Sequence, residues 1–414
     1  MLTRVLAVLF LTALAAVCAP KGAAALERLA LSSPGAALVG ADVPQDEAKA
    51  ARLRRVLEGI RLPPGFSIDL FALAPDARGL ALHPGGETVL VSTNRAELYA
   101  LRDTGAGVAA SVRRFLPNAD LRMPHGICFA PDGALYIAEQ NRVLTIQDIF
   151  AAPGSEAAAP HVVVARGALI PRSEESGGHS ARICRIGPDD RLYVSLGQPY
   201  NVSPPEKTGY YQRLGIGGIL SMKRDGGDRR VHTTGIRKSV GMDFNPKDGL
   251  LWFTDNQVDG MGDLIPPGEL NRQTAEGQNF GFPWYGGGHT RTREYASAAA
   301  PENLVFPEVE MDAHAADLGM RFYTGAMFPE KYRGAIFSAQ HGSWDRSTPI
   351  GARIMVTYLK PDGHADKAEP FTEGCIAPAG GYLCRPVDTL VLKDGSLLVS
   401  DDQSGAVYRI SFRP

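Results

Sequence analysis

One phrase recurs along this chain and limits what it can fold into. An apolar stretch meets Pro or a polar residue, then Asp-Gly or a near equivalent, then a short strand ending in a small or acidic residue. The turns are His83-Pro84-Gly85-Gly86, Pro131-Asp132-Gly133, Pro188-Asp189-Asp190, Pro246-Lys247-Asp248-Gly249 and Lys393-Asp394-Gly395. The strands that follow them occupy 88–92, 134–138, 191–195, 250–254 and 396–400. Asp-Gly between apolar runs is a hairpin signal, because Gly takes positive φ at no steric cost. The first four phrases lie roughly 45 to 60 residues apart. Repetition at that period means blades arranged around an axis. A further hairpin fills the gap before the last phrase, from Arg321-Phe322-Tyr323 to 334–339, with 329–334 replacing the Asp-Gly turn. The expectation is an all-β, six-bladed propeller. It is closed by pairing the early strand 66–71 with the late strand 406–412, which removes exposed edges.

Ahead of the propeller, Arg4 and the apolar run 5–17 read as an export signal over residues 1–25, with Ala23-Ala24-Ala25 as a small-residue cleavage site. The run is too short to span a bilayer, so the mature protein is expected to be periplasmic or secreted, with no stable membrane insertion. Residues 26–62 form a lead segment. Its first part, to about Gln45, has no aromatics and reads as poorly ordered or draped on the surface. Its second part is a short helix from Glu47 through Leu57 capped by Asp46. The propeller takes 63–414. A net charge of -2, from 43 basic and 45 acidic residues, argues against a nucleic-acid partner.

Export bears on the cysteines. Cys375 and Cys384 flank a Gly/Pro-rich loop and are expected to pair in an oxidising compartment. Cys128 and Cys184 sit in apolar strand contexts and read as buried free thiols, slightly ahead of a second bridge. Three long insertions, 197–218, 255–288 and 341–351, are rich in Gly, Pro, Asn and aromatics and read as ordered, functional loops.

These loops and the segments before the hairpins carry an ordered set of motifs: Gly178-His179-Ser180-Ala181-Arg182, Gly235-Ile236-Arg237-Lys238-Ser239-Val240-Gly241-Met242, Trp252-Phe253-Thr254-Asp255-Asn256, Pro267-Gly268-Glu269-Leu270-Asn271, Asn279-Phe280-Gly281-Phe282-Pro283-Trp284 and His341-Gly342-Ser343-Trp344-Asp345-Arg346. From about Gly65 to the C-terminus the set resembles the glucose/sorbosone dehydrogenase family, and within it the sorbosone branch. These are soluble propellers that use pyrroloquinoline quinone (PQQ).

The resemblance implies hydride transfer from an aldose or related aldehyde to the quinone, with an external electron acceptor. His179 matches the family's general base, and imidazole suits proton transfer near neutral pH. Arg237 matches the arginine beside the quinone, where a fixed cation stabilises developing negative charge. Lys238 stands where the family usually has Asn. His341, Trp344, Arg346 and Arg385 are the further cofactor-binding candidates, with Trp284 and Tyr285 as possible walls. Calcium is expected against the quinone in the loop Gln257-Val258-Asp259, with Asp263 and Glu269 as acidic alternatives. Gln198 replaces an acidic residue that supports the histidine in the glucose-oxidising branch. Two rivals share the architecture: a calcium-dependent lactonase, which needs a cage of side-chain oxygens, and a propeller that only binds a sugar or a protein.

Overall fold

The computed structural model describes residues 38–414. The expected export signal therefore lies outside the described residues. Six antiparallel sheets form six blades, five of four strands and one of five. Each blade begins at the axis. The innermost strands are Leu80–Leu82, Gly126–Phe129, Cys184–Ile186, Met242–Phe244, Asp317–Phe322 and Pro386–Val391. Successive inner strands pack side by side, and the sixth returns to the first, so the ring is closed. The closure is the one expected. Phe66–Leu73 pairs with Ala406–Phe412, from Phe66 opposite Phe412 to Leu73 opposite Ala406.

The second strand of a blade reads as a near-continuous apolar run because neighbouring blades cover both its faces. Leu135–Glu139, Leu192–Leu196, Leu251–Asp255, Ile336–Gln340 and Leu397–Asp401 are buried at every position. The turns before them use left-handed backbone. Gly takes it at 133, 249 and 395, and Asp190 takes it (φ 58°) where the third phrase has no Gly. The hairpin without Asp-Gly is blade 5, made of Asp317–Phe322, Ile336–Gln340, Arg353–Leu359 and Ala365–Pro370.

The small residue that ends each phrase stitches one blade to the next. Ser92 Oγ donates to His125 O (2.6 Å), Ser195 Oγ to Ser239 O (3.0 Å) and Thr254 Oγ1 to Leu318 O (2.6 Å). Ser400 Oγ closes the circle on Arg78 O. In each case the acceptor lies at the start of the next inner strand. Blades 2 and 5 carry Ala138 and Ala339 at this position and cannot donate. Thr389 in blade 6 reaches back instead, to Phe337 O of blade 5 (3.1 Å).

At the seam between blades 2 and 3 a covalent bond takes over. Cys128 and Cys184 form a disulfide (Cα–Cα 5.8 Å), which corrects the expectation of free thiols. The two cysteines are 56 residues apart, one blade period, so they occupy neighbouring inner strands and face each other. Cys375–Cys384 is also bridged, as expected (Cα–Cα 5.0 Å).

Two helices decorate the ring. In α1 (Glu47–Leu57), Asp46 accepts from Lys49 N (2.6 Å), and Ala50, Leu53 and Leu57 are buried against the blade 5 and 6 side of the core. Within the described part of the lead segment a strand forms as well. Val39–Asp42 pairs with Ala109–Phe115 and covers the outer edge of blade 1. Helix α2 (Pro205–Leu214) lies inside the first long insertion and ends on Gly215 in the left-handed region. Among the described residues no helix is long and apolar enough to cross a membrane.

Candidate active site at the axis

The segments that precede the inner strands, and those that follow the second strands, gather at one end of the ring. There a cavity of about 170 Å³ opens between blades 3, 4 and 5. His179, Arg237, Lys238, Gln257, Asp259 and Trp344 line it, all of them singled out by the sequence. The structure adds Asn256, Pro266, Gly268, His314, Ala316 and Asp317.

The basic wall comes from blades 3 and 4. His179 has positive φ (52°), a conformation that costs energy for a non-Gly residue and is held by its surroundings. Gly197 is part of that hold, because a Cβ there would meet His179 O at 2.5 Å and His179 Cβ at 2.9 Å. His179 Nδ1 donates to the backbone carbonyl of Gln198 (2.7 Å). That bond fixes the tautomer and leaves Nε2 as the ring's acceptor. The Gln198 side chain plays no part, since Oε1 accepts from Tyr200 N and Ser203 Oγ (both 2.9 Å). Burial, followed by the charges of Arg237 and Lys238, pushes the imidazole down to about 3, so it is neutral at physiological pH.

Arg237 is buried and held by four hydrogen bonds. Its guanidinium donates to Asn201 O (3.0 Å), Asn201 Oδ1 (2.8 Å), Asn256 O (3.3 Å) and Asp259 Oδ2 (2.6 Å). The backbone N–H groups of Arg237 and Lys238 both donate to the buried Asp255 carboxylate (3.0 and 2.7 Å). Burial, then the like charges of Arg78, Arg237 and Arg182, push the Lys238 amine down to about 7.

The opposite wall is acidic. Asp255, which does not itself line the cavity, is held well above the carboxylate range by burial and by the neighbouring Glu269. Asp317 is raised to about 7 by burial, with the nearby Asp312 charge adding to it. Asp317 Oδ1 accepts from Gln340 Nε2 (3.1 Å), whereas the buried Oδ2 has no partner. Gln257 donates through Nε2 to Asp255 (2.9 Å), and its Oε1 is likewise unpartnered. Gly268 gives Asp317 its room, since a Cβ there would lie 2.0 Å from Oδ2. At the rim, ligand atoms of Asp259, His314 and Asp345 lie within 4.8 Å of one another.

Other predicted residues sit elsewhere at the same end. Val258 is packed away, with its N–H on Gly286 O. His341 is bonded through Nε2 to Asp402 (2.8 Å), which also binds Arg78. Arg346 donates to Ala313 O (3.2 Å). Arg385 donates to His341 O (3.0 Å) and Gly342 O (2.7 Å) and stacks on Tyr382. None of the four lines the cavity. Trp284 and Tyr285 pack on Tyr295 and Phe306. Asp263 caps the loop at Ser347 (3.1 Å to its N).

Asp317 is not among the residues expected from the sequence, although a signal was present. Val240-Gly241-Met242 after Ser239 and Leu318-Gly319-Met320 after Asp317 are the same pattern one blade apart.

Residues 168–343, which include both walls of the cavity, match the sequence profile of the Glucose / Sorbosone dehydrogenase family. Over these residues the chain is similar to the glucose/sorbosone dehydrogenases. A protein of unassigned function from Borreliella burgdorferi is 29% identical over 364 residues, covering 85% of this chain and 91% of the relative. Among solved structures, a Trichoderma reesei enzyme of carbohydrate-active family AA12 superposes with TM-score 0.69 at 18% identity, covering 86% of this chain and 97% of that one. The PQQ domain of pyranose dehydrogenase from Coprinopsis cinerea gives 0.67 at 17% identity, with 85% and 97% covered. The soluble aldose sugar dehydrogenase of Escherichia coli gives 0.59 at 18% identity, with 84% and 100% covered. At these identities the superpositions establish a shared propeller fold.

Proposed function

We propose that this protein oxidises an aldose or related aldehyde of the sorbosone type, passing hydride to PQQ with calcium beside it and His179 as the general base. The observation that carries this reading is the fixed tautomer of His179. Its Nδ1–H is committed to Gln198 O, which leaves a neutral Nε2 lone pair at a cavity with basic and acidic walls.

The residues present fit the charges of the two groups. A tricarboxylate needs cations, and Lys238 offers an ammonium with no acceptor of its own. Calcium needs oxygen ligands, and the unpartnered Gln257 Oε1 and Asp317 Oδ2 supply them. The cavity is smaller than the roughly 300 Å³ at which ligand pockets usually begin. Trp344, 75% exposed at the mouth, would be among the residues that hold a tricyclic group. The quinone supplies a two-electron acceptor for hydride.

The chain's own part is to hold and to move a proton. His179 Nε2 takes the proton of the sugar hydroxyl. Burial and the charges of Arg237 and Lys238 disfavour the imidazolium and so weaken His179 as a base, and a bound polycarboxylate would offset those charges. Arg237, pinned by four hydrogen bonds, keeps a positive potential at the wall without reorganising.

Reconstitution with PQQ and calcium, followed by dye reduction with a panel of aldoses and aldehydes, tests the reading. Turnover is expected, and His179→Ala should lower it by about 10²–10⁴-fold while retaining most cofactor affinity. An unchanged rate in His179→Ala at saturating PQQ removes the assigned base. Lactone hydrolysis with no change in the quinone spectrum favours the lactonase.

A further inference from the structure

Lys238 is at odds with its surroundings, and its amine can do more than offer a cation to a bound anion. Its backbone is clamped from both sides, with N–H on Asp255 and C=O accepting from Asn256 N (3.0 Å). Its side chain lines the cavity. The guanidinium groups nearest it in charge all have acceptors. Arg78 is paired with Asp402, Arg237 with Asp259, and Arg182 with the carbonyls of Gln140, His179 and Gly197. Among the described residues Lys238 Nζ has neither a hydrogen bond nor an ion pair. A lysine placed like this is a cation without a counter-charge, in a chamber whose near wall is already positive.

The groups that face it are Arg78, Arg182 and Arg237, with Asp259 the opposing charge, and His125 and His179 feel the lysine in turn. Asp259 is already bonded to Arg237. The arrangement favours loss of the ammonium proton, and lysines beside other cations in enclosed sites are activated as nucleophiles in this way. With the amine pushed down to about 7, the free-base fraction at pH 7 is roughly 10³ times that of an ordinary lysine near 10.4.

We propose that Lys238 is a carbonyl-capturing nucleophile whose ε-amine condenses reversibly with a small aldehyde or ketone entering this cavity. Nζ adds to the carbonyl carbon, and one N–H proton moves to the oxygen to give a carbinolamine. The hydroxyl then leaves with the second proton as water, forming a C=N bond. No oxidant or reductant is consumed. The cavity of about 170 Å³ suits a short-chain carbonyl compound. The capture does not depend on any quinone, so it stands or falls separately from the dehydrogenase reading.

The test uses the full chain without PQQ. The protein is incubated with glycolaldehyde and sodium cyanoborohydride at a series of pH values, then digested and mapped by mass spectrometry. The internal references are Lys223 and Lys247, on turns at blades 3 and 4. At about pH 7 the Lys238 peptide should be alkylated at least about tenfold faster than either reference. Its rate should rise through pH 7 and level off by about pH 8. Lys238→Arg, which keeps a cation but forms no trapped imine, should lose that adduct and leave the reference adducts unchanged. Alkylation of Lys223 and Lys247 with none at Lys238 overturns the proposal. So does a Lys238 rate that climbs only toward pH 10, as an ordinary amine would.

Discussion

The seam between blades 2 and 3 and the seams on either side of blade 4 do the same job by different chemistry. The first is closed by Cys128–Cys184, with His125 Nδ1 donating to Arg182 O (3.2 Å) where a hydroxyl would otherwise serve. The others each carry a hydroxyl across, Ser195 on Ser239 O and Thr254 on Leu318 O, beside further bonds such as Phe322 N–H on Asp243 Oδ2 (3.0 Å). Those two acceptors are next in sequence to Lys238, whose Nζ lacks a partner, and to Asp317, whose Oδ2 also lacks one. The covalent seam stabilises the ring away from the cavity walls. The hydrogen-bonded seams lie directly beside Lys238 and Asp317 in the chain.

The comparison breaks most readily at the disulfide. Cys128→Ala with Cys184→Ala opens a 56-residue cross-link, which should cost about 4 kcal/mol of unfolding free energy in urea titrations. Aldehyde labelling of Lys238 should not change in the folded double variant. A loss below about 1 kcal/mol would mean that the ring does not rely on this seam.

The next effect belongs to pH. Asp317 is raised from 3.8 to about 7 by burial, so the folded state holds its proton more tightly than the unfolded state. Its stabilising contribution is complete below about pH 4 and is lost as pH climbs through 7, at most about 4 kcal/mol in all. Urea midpoints of the wild type without added cation should therefore fall over that window, and Asp317→Asn should flatten the fall. Calcium should restore stability at pH 7 if Asp317 is one of its ligands. A wild-type profile as flat as the Asn variant's would mean that Asp317 titrates normally.

The smallest effects come from the hydroxyls. Thr254→Val and Ser195→Ala each leave a buried carbonyl unpaired and should cost about 1–3 kcal/mol. Ser92→Ala, at the seam between blades 1 and 2, should cost about as much. The informative contrast is at the cavity. Ser195→Ala should slow labelling of Lys238 and Ser92→Ala should not. Equal labelling in both would show that the seams next to the cavity have no special hold on its residues.

Much of this was legible in the chain. The repeated phrase prescribed hairpins, their period prescribed blades, and the two unmatched strands prescribed closure, because each of these is a local pattern with one cheap solution. His179, Arg237, Lys238 and Trp344 were legible as members of ordered motifs. The Cys128–Cys184 bridge was not recognised, because pairing depends on two inner strands meeting in register, and that is a property of the closed ring. The spacing of one blade period was the available clue. Arg385 was expected in the cavity, but the carbonyls of His341 and Gly342 claim its guanidinium. Asp317 was overlooked because a lone Asp before an apolar strand normally reads as a turn or cap. Only the repeated apolar-Gly-Met pattern marks it as axial.

Closure through Phe66–Leu73 and Ala406–Phe412 also has a consequence for the order of events in synthesis. Blade 6 draws its outer strand from near the start of the propeller and its other three strands from the end. A nascent chain can fold blades 2 to 5 one after another as their hairpins emerge. The ring cannot close until residue 412 has been made and meets a partner more than three hundred residues behind it. Such a contact pays its loop entropy last and slowly. Until then the inner strands have no complete circle to pack against, and the cavity at the axis lacks the enclosure around Lys238 and His179. The chemistry proposed for the axis is therefore a property of the finished chain, switched on in a single late step.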